Sequence, residues 1–415
     1  MQAVGRRGTE GLSVGKRVEL RRLQFGLSRR VVANLVGRSE EWLRLVESDQ
    51  AKLDSVEVIL RLAEVLQVDD FRDLIDRPVR RVPPSVATTD LVRELQRTIL
   101  DHPVARCDSN DRRDAFSAGD IAAELARCER AWAGARQRYS EPTRRLCGVI
   151  AESRRLSWRS SGAEGRDLLI RGYHLCREVL TGMGAHGLAC MVADRAITLA
   201  RYNDRPIVLA ASLLQLANAL LHTEQLRECH DLATTAPTLA ECDAHLPGHR
   251  LLRGAAYLVA AKAAAAMPDP AEANRLLTSA QSQAHRVGGY RSVLGIGFGD
   301  TEIGLTRMEI ALGRNDFDEV IEVAAQSDIA DDQPAGRRAR YHIVMAAAFA
   351  GRGDDVGAAF ALAKAAESSP EDLRYDPDAH RSLRLLLQRG NRLLRRDVAR
   401  LVALADLDGR ASTGP

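Results

Sequence analysis

Apolar residues recur along most of this chain at the three- and four-residue spacing of a helix stripe, interrupted by short polar clusters rich in glycine or proline. Near the amino terminus, Val18, Leu20 and Leu23 give a first helix its apolar side, and Gly26 ends it. Ser28 stands where it caps a second helix running to about Val36, and Ala33 is small where a third helix must cross closely. Gly37 supplies a sharp turn, Ser39 caps the third helix, and Trp42, Leu43 and Val46 form its buried side. This spacing reads Trp42 as a packing residue. The pattern predicts two further helices over 55–66 and 70–75. A proline- and arginine-rich stretch at 76–84 follows, where missing backbone donors and restricted residues before each ring predict a linker.

After a lone helix over 90–100 and a polar stretch over 101–114, the chain becomes a series of long helices joined by short turns. Turn clusters at 182–184, 222–224, 267–270, 313–316 and 351–354 lie about 40 residues apart, each between alanine-rich helical stretches. The segments 309–324 and 345–363 match best: small residues, a glycine turn with aspartate, then a second amphipathic helix. Each helix hairpin can bury its apolar face only against its neighbours, which predicts one right-handed α-solenoid with a concave inner wall. The resulting division is a five-helix domain at 13–75, a linker with one helix at 76–114, a helical-repeat domain at 115–408 and a disordered tail at 409–415.

At 415 residues the chain is too long for a single compact core, which agrees with that division. Apolar residues at 45% and charged residues at 28% exclude a disordered or fibrous chain, and an aromatic share of 4% amid abundant alanine, leucine and arginine favours an all-α fold. A net charge of +3 is too small to name a partner. The seven cysteines form no C-x-x-C pair and read as reduced thiols of a cytoplasm. The first residues lack a signal peptide's apolar stretch, and the longest apolar run, 255–267, is short and broken by Lys262. A soluble cytoplasmic protein with no membrane partner is expected.

Two motifs resemble chemistry that their context does not support. Gly182, Gly184 and Gly187 fit G-x-G-x-x-G, but a helix rather than a strand precedes them, so they read as a hairpin turn. Cys229, His230, Cys242, His245 and His249 have loosely zinc-like spacing, yet the first two are adjacent on a helix and diverge by about 100°. No nucleophile elbow, phosphate loop or paired-carboxylate constellation occurs, so no enzyme activity, cofactor or metal is expected.

The helix, glycine turn and steeply angled helix of 28–47 form the helix-turn-helix arrangement, whose later helix lies in a DNA major groove. The run Arg22-Leu-Gln-Phe-Gly-Leu27, the Ala33 and Gly37 spacing, the Val46-Glu47 pair and Leu60-x-Leu-Ala63-x-x-Leu66 together resemble the phage-repressor-like, XRE-type DNA-binding domains. That resemblance covers 15–75 and implies that Arg22 and Glu47 form a partly buried ion pair, whose disruption would cost about 3 kcal/mol or more. Carried over position by position, it implies base-edge or adjacent roles for Arg29, Glu40, Glu41 and Arg44. It implies phosphate contacts for Ser28, Arg38, Ser39 and Lys52. Glu40 and Glu41 stand where such domains more often carry neutral or basic residues, and residues 1–75 carry about one net positive charge. Low non-specific affinity for double-stranded DNA is therefore expected, with binding leaning on dimerisation and on Arg29, Arg38, Arg44 and Lys52.

The combination with a repeat domain resembles actinobacterial regulators with tetratricopeptide-like sensor domains and, more distantly, peptide-sensing quorum regulators of Gram-positive bacteria. The resemblance implies a homodimer whose solenoid binds a peptide or small-molecule effector. Residues 297–307 are similar to a stretch often found in the actinobacterial chains, with Glu302 and Thr306 where asparagine and histidine are expected. Tyr257, Phe298, Arg307, Arg338 and Tyr341 are the candidates for an effector wall on the inner helices, their arginines suited to carboxylates. The expected function is sequence-specific transcriptional regulation; the alternative is a protein-interaction scaffold whose helix-turn-helix module no longer binds DNA.

Overall fold

The structure, a computed structural model, describes residues 14–51, 58, 61–62, 65–66, 86–101, 116–159, 163–223, 225–241, 248–267, 270–327, 329 and 333–407. The sequence-predicted helix over 70–75 and the tail at 409–415 lie outside them, as does most of the segment 55–66. Contacts divide the chain into two units, Met1–Pro83 and Pro84–Pro415.

In the first unit, α1 (Val14–Gln24), α2 (Arg29–Val36) and α3 (Glu40–Glu47) follow the sequence pattern closely. Ser28 and Ser39 are N-caps whose side-chain oxygens accept from the backbone N–H of Val31 and Trp42, each satisfying an orphan donor of the first turn. Between the two helices Gly37 sits at φ 74°, a left-handed conformation that only glycine adopts without strain. Arg38 N–H then donates to Ala33 O at 2.8 Å and closes the turn. Val18, Val32, Ala33, Leu43, Leu62 and Leu66 form the dry core, and Trp42 packs against its edge. The first helix departs from expectation: Val18 is buried, but Leu20 and Leu23 are exposed. Their place on the inner side is taken by Arg22, which is 6% exposed.

Glu47, 2% exposed, is the reason. Arg22 Nε donates to Glu47 Oε1 at 2.6 Å, Nη2 donates to Oε2 at 3.2 Å, and Nη1 donates to Leu27 O at 2.9 Å. The pair thus ties α1 to α3 and to the turn before α2, with both carboxylate oxygens occupied, the condition under which a buried ion pair survives desolvation.

The second unit is an array of antiparallel helix hairpins, each helix packed on the next. It runs α4 (Val86–Leu100), α5 (Ala118–Gly134), α6 (Ser140–Arg159), α7 (Ala163–Gly182), α8 (His186–Ala200), α9 (Pro206–Leu220), α10 (Leu226–Glu241), α11 (His249–Ala265) and α12 (Pro270–Val287). A β-hairpin intervenes, and α13 (Asp300–Gly313), α14 (Phe317–Gln326), α15 (Ala335–Arg352), α16 (Asp355–Ser368), α17 (Pro370–Tyr375), α18 (Pro377–Arg389) and α19 (Arg395–Leu404) complete it. The five sequence-predicted turn clusters fall between consecutive helices of this series. Helix crossings are lined by small residues: along α11 Ala256, Ala260, Ala261, Ala263 and Ala264 are all essentially inaccessible. The helix predicted within the linker is α4; its Leu95 and Ile99 are 0% exposed in the core formed with α5–α8, so this unit begins ahead of residue 115.

Two features were not expected. Residues 291–298 form an antiparallel hairpin, β1 (Arg291–Val293) with β2 (Ile296–Phe298), turning through Leu294 and Gly295 at φ 50° and 81°. Phe298 of β2 is fully buried and lies against Gly254 of α11, where an added Cβ would come within 2.1 Å of its ring. The second is a contact between the ends of the unit. Arg138 Nη1 donates to Asp372 Oδ1 at 2.9 Å, and Tyr139 OH donates to the same oxygen at 3.0 Å. The N–H of Tyr139 and the hydroxyl of Ser140 donate to Glu371 at 2.7 and 2.6 Å, which places a carboxylate on the N-terminus of α6. Because the partners are more than 230 residues apart, this clasp closes the helical array on itself.

Two substitutions probe these contacts. Gly254→Ala is expected to overpack Phe298 and cost about 1–3 kcal/mol in thermal unfolding. Gly134→Ala, where an added Cβ meets nothing within 4 Å, is expected to hold or raise the midpoint. Glu47→Gln strands Arg22 and is expected to cost about 3 kcal/mol or more, seen as faster hydrogen exchange throughout α1–α3. Exposed Glu41→Gln should leave that exchange unchanged.

Candidate DNA-reading helix and enclosed cavity

The outer side of α3 is solvent-facing: Glu40, Glu41 and Arg44 are exposed, as are Ser28, Arg38 and Ser39 around the turn. The fold therefore gathers seven of the eight sequence-predicted DNA residues about the N-terminal ends of α2 and α3; Lys52 lies outside the described residues. Two of the arginines are not free cations. Arg29 Nε donates to Glu47 Oε2 at 2.6 Å and its Nη2 lies 3.5 Å from Glu19, leaving the side chain 38% exposed. Arg44 makes a fork with Glu41, 2.6 Å at Nη2 and 2.9 Å at Nε. The hydrogen bond from Arg44 lowers the Glu41 carboxyl from its ordinary range and raises the Arg44 guanidinium in turn. Arg38 stands 5.9 Å from the centre of the Trp42 ring, a contact that orients it beside the start of α3. A second cation on Glu47 is a feature that the sequence pattern left unseen.

In the second unit a cavity of about 1070 Å³ lies inside the closed array. Its wall includes Trp132 and Arg138 from the first hairpin, His174 and Arg177 of α7, and Arg337 and Arg340 of α15. The tip of the β-hairpin forms another side. His174 holds that tip: Nδ1 lies 3.3 Å from Leu294 O and Nε2 3.0 Å from Ser212 Oγ. Burial pushes His174 down to about 4, so the neutral ring donates from Nδ1 to the carbonyl. Glu309 sits between Lys262 at 2.6 Å and Arg340 at 2.7 Å. Burial alone would raise its carboxyl, but the two cations outweigh it and hold it at about 2. Arg340 also donates to Asp376 and Asp378, each at 2.9 Å.

None of the five residues proposed from sequence for an effector wall lines this cavity. Phe298 is on a strand, not an inner helix, and is a core residue at 0% exposure, because the glycines at 288, 289 and 295 break the helix the pattern had suggested. Tyr257 accepts from Arg253 Nε at 2.9 Å along its own helix, and Tyr341 donates to Ala324 O at 3.1 Å. Arg307 is exposed on α13, and Arg338 belongs to a separate small pocket with His342 and Lys364. Glu302 and Thr306, the two departures from the expected asparagine and histidine, do face the cavity. That difference was the available signal. Among the described cysteines, burial pushes Cys128 up to about 11 and Cys229 to about 12, so both behave as small apolar side chains.

Residues 13–77 match the family model described as a helix-turn-helix domain. No curated protein matches the chain. Two solved structures are similar in part. The crystal structure of BtubC (BKLC) from P. vanneervenii is 12% identical, with 60% of this chain and 90% of that one covered at a TM-score of 0.37. The crystal structure of Bacillus thuringiensis PlcR in complex with the peptide PapR7 and DNA is 12% identical, with 66% and 95% covered at a TM-score of 0.31. Both likenesses are too distant to carry function across. The amino-terminal unit of this chain is a helix-turn-helix domain.

Proposed function

We propose that the chain is a sequence-specific DNA-binding transcriptional regulator of the cytoplasm, acting as a homodimer, whose helical domain senses a peptide or small effector. The observation that carries the reading is the capped α2–Gly37–α3 unit with the outer face of α3 open to solvent, the geometry by which such a helix enters a major groove. The internal Glu41–Arg44 fork supports a reader of low non-specific affinity, because Arg44 must exchange a carboxylate for a base or phosphate before it contributes. The cavity supports the sensing half of the reading, since its volume accommodates a small ligand. The acids and bases around it are committed to one another as ion pairs, which favours a binding protein over an enzyme.

The test is a mobility-shift series of the whole chain against a pool of duplex fragments across salt concentrations. Log affinity is expected to fall linearly with log salt, by about 0.9 for each phosphate neutralised. Arg38→Ala should weaken all sequences alike, and Arg44→Ala should relax preference at one position by about 1–3 kcal/mol. Glu41→Gln should raise affinity for unrelated DNA. If no fragment is retarded at low salt, the DNA reading fails and the domain is a protein-interaction module.

A further inference from the structure

We infer that the cavity of the second unit takes an uncharged small molecule that has a carbonyl oxygen, an N–H or O–H group and an apolar body. This rests on the sensing half of the proposed function and names its ligand chemistry.

The charges come first. Six cations on the cavity wall already face acids: Arg138 with Asp372 at 2.9 Å, Arg171 with Glu129 at 2.8 Å, Arg177 with Glu178 at 3.4 Å, Lys262 with Glu309 at 2.6 Å, Arg337 with Glu302, and Arg340 with Glu309 at 2.7 Å. A free carboxylate or ammonium entering here would displace a formed pair or be buried without a counter-charge, and either is costly. The sequence-based expectation of an anionic ligand therefore does not suit this wall.

The unmade hydrogen bonds come second. Arg177 is 8% exposed and Gln215 0% exposed, yet Arg177 Nε, Gln215 Nε2 and Thr181 Oγ1 have no partner. Gln215 turns its Oε1 to Arg177 Nη2, so its amide N–H₂ faces the other way, 3.8 Å from where a Cβ on Gly295 would stand. Two unpaired donors and a hydroxyl lie on neighbouring helices under the β-hairpin tip, and a carbonyl oxygen, with two lone pairs, accepts from both donors. Across the cavity Glu302 Oε1 is an acceptor without a donor, its other oxygen being held by Arg337. That position asks for an N–H or O–H. Leu168, Leu258, Val259 and Leu305 supply apolar wall between them.

The test uses two matched probes, N-hexanoylglycinamide and N-hexanoylglycine, which differ only in a terminal amide against a carboxylate. Each is titrated into the full chain by calorimetry, with thermal midpoints in parallel and no DNA present. The amide is expected to bind at least about tenfold tighter than the acid, with an affinity insensitive to salt. Thr181→Val, which removes a hydroxyl that the fold leaves unpartnered, should keep the midpoint and weaken the amide about threefold or more. Tighter binding of the acid, binding of neither probe at millimolar concentration, or an unchanged amide affinity in Thr181→Val each overturns the proposal. Loss of DNA binding alone would leave it standing, because nothing in the measurement involves DNA.

Discussion

The architecture of the second unit depends on the clasp between Arg138–Tyr139–Ser140 and Glu371–Asp372. In an open array each hairpin touches only its neighbours, and stability is close to a sum of local terms. The clasp adds a term that joins the two ends, so that opening it exposes surface at both. It is also well built. Asp372 accepts from a guanidinium and a phenol, Glu371 accepts from two backbone N–H groups and a hydroxyl, and Arg138 lies 3.7 Å over the Trp132 ring. A buried ion pair gains over an apolar substitute only when its remaining lone pairs and protons find partners, and here they do.

Closure also explains where the cavity comes from. Its wall draws Trp132 and Arg138 from one end of the unit and Arg337 and Arg340 from the other, and no single hairpin contains enough of it to form a pocket. Arginine is the residue suited to this arrangement, because its planar fork reaches several carboxylates at once. Arg340 bridges Glu309, Asp376 and Asp378 and so links α13, α15 and α18 around one guanidinium. A ligand that rearranged any of these pairs would act on helices from distant repeats together, which is the mechanical requirement for a sensor that alters curvature.

The first unit is governed by the same economy of charge. Glu47 holds two arginines, one buried and structural, the other on the rim of the DNA-facing surface. Arg29 is thereby anchored at its Nε while its side chain keeps 38% exposure, so it presents an oriented guanidinium rather than a freely moving one. The acidic first turn of α3 has a local justification as well: Glu40 and Glu41 sit at the positive end of the helix, where carboxylates are favourable. Local helix stability and attraction for phosphate pull in opposite directions at those positions, and the Glu41–Arg44 fork is the compromise.

How much of this was legible follows from the range of each interaction. The caps Ser28 and Ser39, the turn at Gly37 and the hairpin turns were readable because their partners lie within four residues, where periodicity and capping chemistry speak directly. The Arg22–Glu47 pair was readable only through a resemblance, and Arg29 as its third member was not. The β-hairpin left a trace in Gly288-Gly289-Tyr290 and in Leu294-Gly295, which alanine-rich flanking helices masked. Gly254 illustrates the limit most clearly. In sequence it is a helix-weakening residue amid alanines, and its reason appears only when Phe298, from a strand more than forty residues later, is seen to occupy the space a Cβ would need. The cavity residues are of the same kind: each of Arg138, Arg177, Lys262 and Arg340 reads as a solvated charge on its own helix, and only the closure of the array turns their outward faces into an interior.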